Sequence, residues 1–215
     1  MKKKHMRTLN SLQKSLEACT ELNESQKSAF KALKELIENL PESEQLEGLP
    51  APKEIEQEPE TIALFTDGGC RGNPGPGAWA FVIQNHAGDI LAEGVEYESL
   101  TTNNKMELSG AIHGLREIQF ILPQRNKDAL LTKVKVMTDS KYVVDGMKSW
   151  VQGWKSRGWK KADNKEPENL ELWKELDELR NKFMQIDWVW VKGHAGHPQN
   201  EYCDKKANGV MDENS

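Results

Sequence analysis

From Thr61 onward the chain reads as three β-rich runs in close succession, then helix and strand in alternation. This order constrains the fold more than any other feature. Thr61–Thr66 is a short β-rich run, and the glycine- and proline-rich stretch Asp67–Gly77 reads as a turn. Ala78–Gln84 and Ile90–Tyr97 read as two further strands, joined by a turn near Ala87-Gly88-Asp89. In Met106–Leu122, residues Leu108, Ile112, Leu115, Ile118 and Leu122 fall on one helical face. Lys133–Thr138 alternates as a strand does, and Ser140–Met147 looks helical. Leu172, Leu176, Leu179 and Phe183 form another helical stripe, Ile186–Val191 a last strand, and a final helix starts near Gln199. The order predicts an α/β fold, a mixed sheet with helices on its faces.

The first 60 residues are different in kind. Leu9, Leu12, Leu16 and Cys19 recur at helical steps, as do Phe30, Leu33, Ile37 and Leu40. Asn23 or Ser25 can cap the second helix and Pro41 stops it, so residues 1–40 read as an α-helical hairpin. Residues 41–60 hold seven Glu, one Lys and four Pro. That composition reads as an extended, self-repelling linker. Two apolar stripes this small are not stable alone, so the hairpin is expected to be an interaction module that self-associates, docks on a partner or folds back.

The chain carries 29 basic and 34 acidic residues, a net charge of −5, which argues against a general polyanion binder. Any nucleic-acid surface has to be local. Three cysteines without a CxxC pair point to free thiols, not a zinc site. No apolar run reaches the ~20 residues of a membrane span, and Met-Lys-Lys-Lys is followed by no apolar h-region. A cytoplasmic location is expected.

Four carboxylates stand in distinctive contexts: Asp67 in Thr66-Asp67-Gly68-Gly69, Glu107 in Asn103-Asn104-Lys105-Met106-Glu107, Asp139 in Thr138-Asp139-Ser140, and Asp204 in Cys203-Asp204. Each has an ordinary reading. Asp67 suits a turn, Glu107 a solvated helix face, and Asp139 a helix cap. Asp67 nevertheless ends a predicted strand, Glu107 adjoins an apolar stripe with Ala111 and Gly114 following it, and Asp139 joins a strand end to a helix. Four acids on one point repel strongly unless they hold hard divalent cations, and paired metals suit phosphodiester hydrolysis.

Taken together the motifs resemble a known family. Thr66 to Gly77, Thr101 to Leu108, Thr138 to Val143 and Trp190 to Glu201 resemble, in order, the motifs of type 1 ribonucleases H, over Thr61 to about Met211. The resemblance implies a ribonuclease H-like five-stranded mixed sheet and a catalytic domain over residues 61–215. It implies an endonuclease that cuts the RNA strand of RNA–DNA hybrids, leaving 5′-phosphate and 3′-hydroxyl ends. Asp67, Glu107, Asp139 and Asp204 match the family's metal ligands for two Mg²⁺ ions, with Mn²⁺ as a substitute. His194 matches a histidine that assists proton transfer or product release.

The local basic patch is Lys148–Lys161, with Lys148, Lys155, Arg157, Lys160 and Lys161, no carboxylate between Asp145 and Asp163, and Trp150, Trp154 and Trp159 interleaved. An amphipathic helix with core tryptophans accounts for part of this. Five cations without an acid also point to phosphate contact, and the stretch resembles the family's basic protrusion on the DNA strand. Asn73, Thr102, Asn103 and Asn104 match positions that contact the hybrid, where neutral amides and hydroxyls suit a 2′-hydroxyl. Lys141 adds a cation beside the third acid, where the family commonly has an uncharged polar residue, and is expected to touch substrate.

Two other readings compete. A non-catalytic hybrid-binding module is disfavoured because all four acids are present. An N-terminal hybrid-binding domain is disfavoured because residues 1–60 carry 9 basic against 12 acidic residues and Phe30 as their one aromatic. A DNA-cutting role on the same fold is weakened by the full set of hybrid-matching residues.

Overall fold

The computed structural model describes Gln13, residues 23–39 and residues 49–214. The first stripe of the N-terminal hairpin, Pro41 and the linker up to Gly48 lie outside the described residues. Helix α1 spans Glu24–Asn39. Asn23 caps it: its Oδ1 accepts from the Gln26 amide at 2.9 Å, and the Gln26 side chain accepts from the Asn23 amide at 2.9 Å. Such a reciprocal pair satisfies two otherwise orphaned donors. Residues 1–48 and 49–215 form separate compact units.

In the second unit β1 (Thr61–Cys70), β2 (Gly75–Gln84) and β3 (Ile90–Thr101) form an antiparallel meander. Helix α2 (Asn103–Gln124) then crosses to β4 (Lys133–Thr138), which pairs parallel with β1. Three helical pieces follow in near-continuous sequence: α3 (Lys141–Asp145), a π turn (Gly146–Trp150) and α4 (Val151–Ser156). Helix α5 (Leu170–Arg180) leads to β5 (Gln185–Trp190), parallel to β4, and α6 (Pro198–Glu213) ends the described chain. The sheet order is β3-β2-β1-β4-β5, the mixed five-stranded sheet the sequence order implies.

Period-two alternation divides the core in two. From β1, Ile62 and Leu64 face one layer with Phe81, Val136, the apolar stripe of α2 and Trp173 of α5. Ala63 and Phe65 face the other, with Val82, Met137 and Cys203, Ala207 and Met211 of α6. All five α2 stripe residues named from the sequence are buried.

Two expectations need correction. Asp67–Gly77 is not one long turn: β1 continues through Gly69 to Cys70, and Asp67 pairs with Ala80 inside the sheet. The glycines here serve close packing within a strand. Nor is the second half of the 41–60 segment a free linker, because Leu49–Glu60 belongs to the compact unit. Ile55 is 1% exposed and joins the α6-side core, where burying such a side chain contributes about 1.5–3 kcal/mol. The Lys135 ammonium donates to the Glu54 carbonyl at 2.8 Å and pairs with Glu58. This strap packs against β1 and reaches β4 through Lys135. Its acidic, proline-rich composition hid Ile55, the apolar residue it buries in the core.

Candidate active site

The site begins with two backbones in close approach. A Cβ on Gly68 would stand 2.4 Å from the Met106 carbonyl carbon and 2.5 Å from the Glu107 amide nitrogen. Only glycine lets β1 lie this close to the first turn of α2, which brings Asp67 and Glu107 together. Thr102 caps that turn, its hydroxyl accepting from the Lys105 amide at 3.4 Å. Asp139 follows the end of β4. The oxygens of Asp67, Glu107 and Asp139 that could bind an ion lie within 4.8 Å of one another. Asp204, from α6, lines the same cavity of about 330 Å³, with Asn103 and His194.

Burial and mutual repulsion dominate the electrostatics. Burial, then the charges of Asp139 and Asp204, push the Asp67 carboxyl up to about 7, against a lowering hydrogen bond from the Gly68 amide. Burial holds Glu107 well above the usual carboxylate range, with Asp67 and Asp139 adding to it. Glu107 is 6% exposed and its Oε2 is buried with no hydrogen-bond partner. An orphaned acceptor among crowded carboxylate oxygens fits a hard cation such as Mg²⁺.

The other groups are held from outside. The Asn208 amide donates to Asp204 Oδ1 at 2.8 Å and to its carbonyl at 3.0 Å, one helical turn on. Asn200, 2% exposed, approaches Asp139 Oδ2 at 3.4 Å, and the Trp190 indole donates to the Asp139 carbonyl at 2.9 Å. A Cβ on Gly193 would meet Asp139 Oδ2 at 2.2 Å, so the loop carrying His194 must pass with glycine there. His194 itself has a left-handed φ of 51° and is exposed at the cavity. The Glu201 carboxylate accepts from the Gly196 amide at 2.8 Å and closes the loop. Sequence reading missed Asn200, Asn208 and Trp190. The i, i+4 spacing of Asp204 and Asn208 was the one available signal.

The expected substrate contacts separate into groups. Asn73 and Asn103 are together, Asn73 Oδ1 accepting from the Asn103 backbone amide at 3.3 Å. Thr102 is occupied as a cap, and Asn104 is half-buried in the first turn of α2. Lys141 lies with its ammonium 5.1 Å from the Trp190 ring centre. Trp150, Trp154, Arg157 and Lys161 line a groove of about 680 Å³ beside α4. Trp154 is mostly core at 9% exposure, whereas Trp150 is 37% exposed. Lys160 is exposed, and Trp159 is half-buried with φ 63°. Lys155 has a partner within the fold. Its ammonium sits 2.6 Å from Asp177 Oδ2, on a side chain only 5% exposed, so much of its charge is spent inside the fold.

Comparison with known proteins places this geometry. The RNase H family model matches residues 59–211. Ribonuclease H of Rhizobium meliloti strain 1021 is 46% identical over 151 residues, 70% of this chain and 90% of that protein. Ribonuclease HI of Caulobacter vibrioides is 45% identical over 147 residues, 68% of this chain and 90% of that protein. Among solved structures, LC9-RNase H1, a type 1 RNase H, is 35% identical with a TM-score of 0.60, covering 73% of this chain and 74% of that one. LC11-RNase H1, solved in complex with an RNA/DNA hybrid, is 27% identical with a TM-score of 0.56, covering 71% and 98%. Motifs, sheet order and relatives agree, and this chain belongs to the RNase H family.

Proposed function

We propose that this chain hydrolyses the RNA strand of RNA–DNA hybrids as an endonuclease, by a two-metal-ion mechanism that leaves 5′-phosphate and 3′-hydroxyl ends. The observation that carries the reading is the carboxylate trio within 4.8 Å, with Asp67 and Glu107 both pushed up by burial and by their neighbours. Asp67, Glu107, Asp139 and Asp204 would hold two Mg²⁺ ions, with Mn²⁺ as a substitute. When bound, the ions lower the pKa of the attacking water and stabilise the leaving 3′-oxygen. Asn208 and Asn200 orient Asp204 and Asp139, leaving other carboxylate oxygens for the cavity. His194, on its exposed loop, moves a proton or helps the 5′-phosphate depart. Asn73, Thr102, Asn103 and Asn104 read the hybrid minor groove, and Lys141, against Trp190, and Trp150, in the groove beside α4, add further contacts. Arg157, Trp159 and Lys160 meet the DNA backbone, and Lys155 acts mainly by holding α4 to α5.

No helix among the described residues is long and apolar enough to cross a membrane. A cytoplasmic role fits the free thiols of Cys70 and Cys203. Residues 1–40 serve as an interaction module, through self-association or a protein partner.

The test is cleavage of an end-labelled hybrid beside single-stranded RNA, duplex RNA and duplex DNA, each with Mg²⁺ and with EDTA. Metal-dependent cutting of hybrid RNA alone is expected. Asp67→Asn should lower kcat on the order of a thousandfold with hybrid affinity kept. Wild type that binds hybrid and never cuts it with either metal would sink the reading.

A further inference from the structure

Leu49–Glu58 precedes the residues that match the family model, yet it touches the end of the catalytic loop. The loop that carries His194 runs from the end of β5 to His197, the residue capping α6. The His197 ring Nε2 lies 2.9 Å from Glu54 Oε1, and the ring packs 5.3 Å from that of Phe65. Two residues on, the side-chain amide of Gln199 donates to the Pro50 carbonyl at 2.7 Å and to Gln84 Oε1 at 3.0 Å. The Gln84 amide in turn donates to the Gly88 carbonyl at 2.9 Å and the Leu49 carbonyl at 3.4 Å. Gln84 and Gln199 are 0% and 2% exposed, so their amides depend on strap carbonyls for partners.

We propose that Leu49–Glu58 is a positioning element of the active site. Glu54, through His197, and the Pro50 carbonyl, through Gln199, fix the first turn of α6 and the end of its preceding loop. His194 is three residues before one anchor, and Asp204 follows five residues after the other on the same rigid helix. A strap that only covered apolar surface would need Ile55 and not these polar bonds to one particular turn. The proposal rests on the hydrolytic reading above, because positioning is defined here by its effect on turnover.

The experiment compares full-length wild type, Glu54→Ala and Glu54→Gln by kcat and KM on an RNA–DNA hybrid, by thermal melting, and by the imidazole Cε1–H resonance of His194. Glu54→Ala is expected to lower kcat about tenfold with KM unchanged, since small misplacements of reacting groups are costly, and to shift the His194 resonance. Glu54→Gln, whose carbonyl accepts the same ring N–H, should return kcat to within about twofold of wild type. A Glu54→Ala protein with wild-type kcat and an unmoved His194 resonance overturns the proposal, even if its Tm falls, because the strap would then act by packing alone. Glu54→Gln as slow as Glu54→Ala overturns it too. If wild type cuts nothing, the hydrolytic reading fails separately, and the His194 resonance still decides whether Glu54 fixes the loop.

Discussion

The carboxylate cluster and the basic protrusion are built on opposite principles. The cluster is set by backbone: β1 and the start of α2 touch through Gly68, and Gly193 passes against Asp139. Glu107 is buried, and Asp67 sits mid-strand between paired neighbours. The protrusion is set by side chains. Lys160 and Arg157 are exposed, and α4 is tied down by Val151 and Trp154 in the core and by Lys155 on Asp177. The chemistry needs fixed positions to a fraction of an ångström, whereas phosphate contact tolerates mobile cations that pay little desolvation. Changes in the first region should therefore alter kcat and stability together. Changes in the second should divide cleanly between folding and affinity.

The sharpest break comes from two adjacent glycines. Gly68→Ala forces a Cβ to within 2.4 Å of helix backbone, where no side chain can give way. It should cost about 3 kcal/mol and, by prising Asp67 from Glu107, lower kcat about a hundredfold. Gly69→Ala, with nothing within 4 Å of its Cβ, should stay within about 0.5 kcal/mol of wild type. Paired denaturant melts and steady-state kinetics check both. Equal effects at the two positions would mean that the close approach does not set the site.

A second contrast lies in pH and metal. Asp67 binds its proton more tightly when folded, with its pKa raised to about 7 from 3.8, and Glu107 shifts the same way. Between those values the folded state holds more protons than the unfolded, so stability falls as pH rises. The contribution is fully present below the unfolded pKa and lost as pH rises through about 7. Without metal, Tm should decline from pH 5 to pH 8. Mg²⁺ should raise Tm more at pH 8 than at pH 5, since it binds the ionised carboxylates. Calorimetry with EDTA and with Mg²⁺ tests this, and a metal shift independent of pH would argue against carboxylate ligation. Removing the protrusion's cations should leave this pH dependence intact.

The two regions also differ in how far the sequence discloses them. Asp67, Glu107, Asp139 and Asp204 stand out in the sequence only when the four motifs are taken together, since each acid alone has an ordinary reading. The succession of strands and helices was legible from turn residues and period, and the α2 stripe from period. Asp67 was nonetheless assigned to a turn, since Gly68-Gly69 gives the same local signal whether it bends a chain or lets a strand lie against a helix. Asn200 and Glu54 support the site through tertiary contacts that no local pattern encodes, whereas Asn208 reaches Asp204 within one helical turn. The pairing of Lys155 was hidden for the same reason as those tertiary contacts: its partner, Asp177, lies 22 residues away on α5. The first half of the hairpin falls outside the described residues, so only the Asn23 cap and α1 correspond to what the stripes implied.

Lys155 and Lys160 give the finest test, because the sequence presents them as equivalents. Asp177 is 5% exposed and has Arg180 at 3.4 Å besides Lys155 at 2.6 Å. Lys155→Met would leave that carboxylate with the weaker partner alone. Lys155 is itself 37% exposed, so the loss is smaller than for a fully buried pair, about 1–2 kcal/mol. Its effect on hybrid affinity should largely follow from loosening α4. Lys160→Ala should leave Tm unchanged and weaken hybrid binding modestly. It should also reduce the slope of log affinity against log salt by about one, the mark of a single phosphate contact. Salt titrations of hybrid binding by fluorescence anisotropy, beside melts of each variant, separate the two. If Lys155→Met lowers the salt slope as Lys160→Ala does and leaves Tm alone, the Asp177 pair opens on substrate and both lysines belong to the phosphate surface. If only Lys160→Ala does so, one basic stretch divides its cations between holding the fold and holding the hybrid.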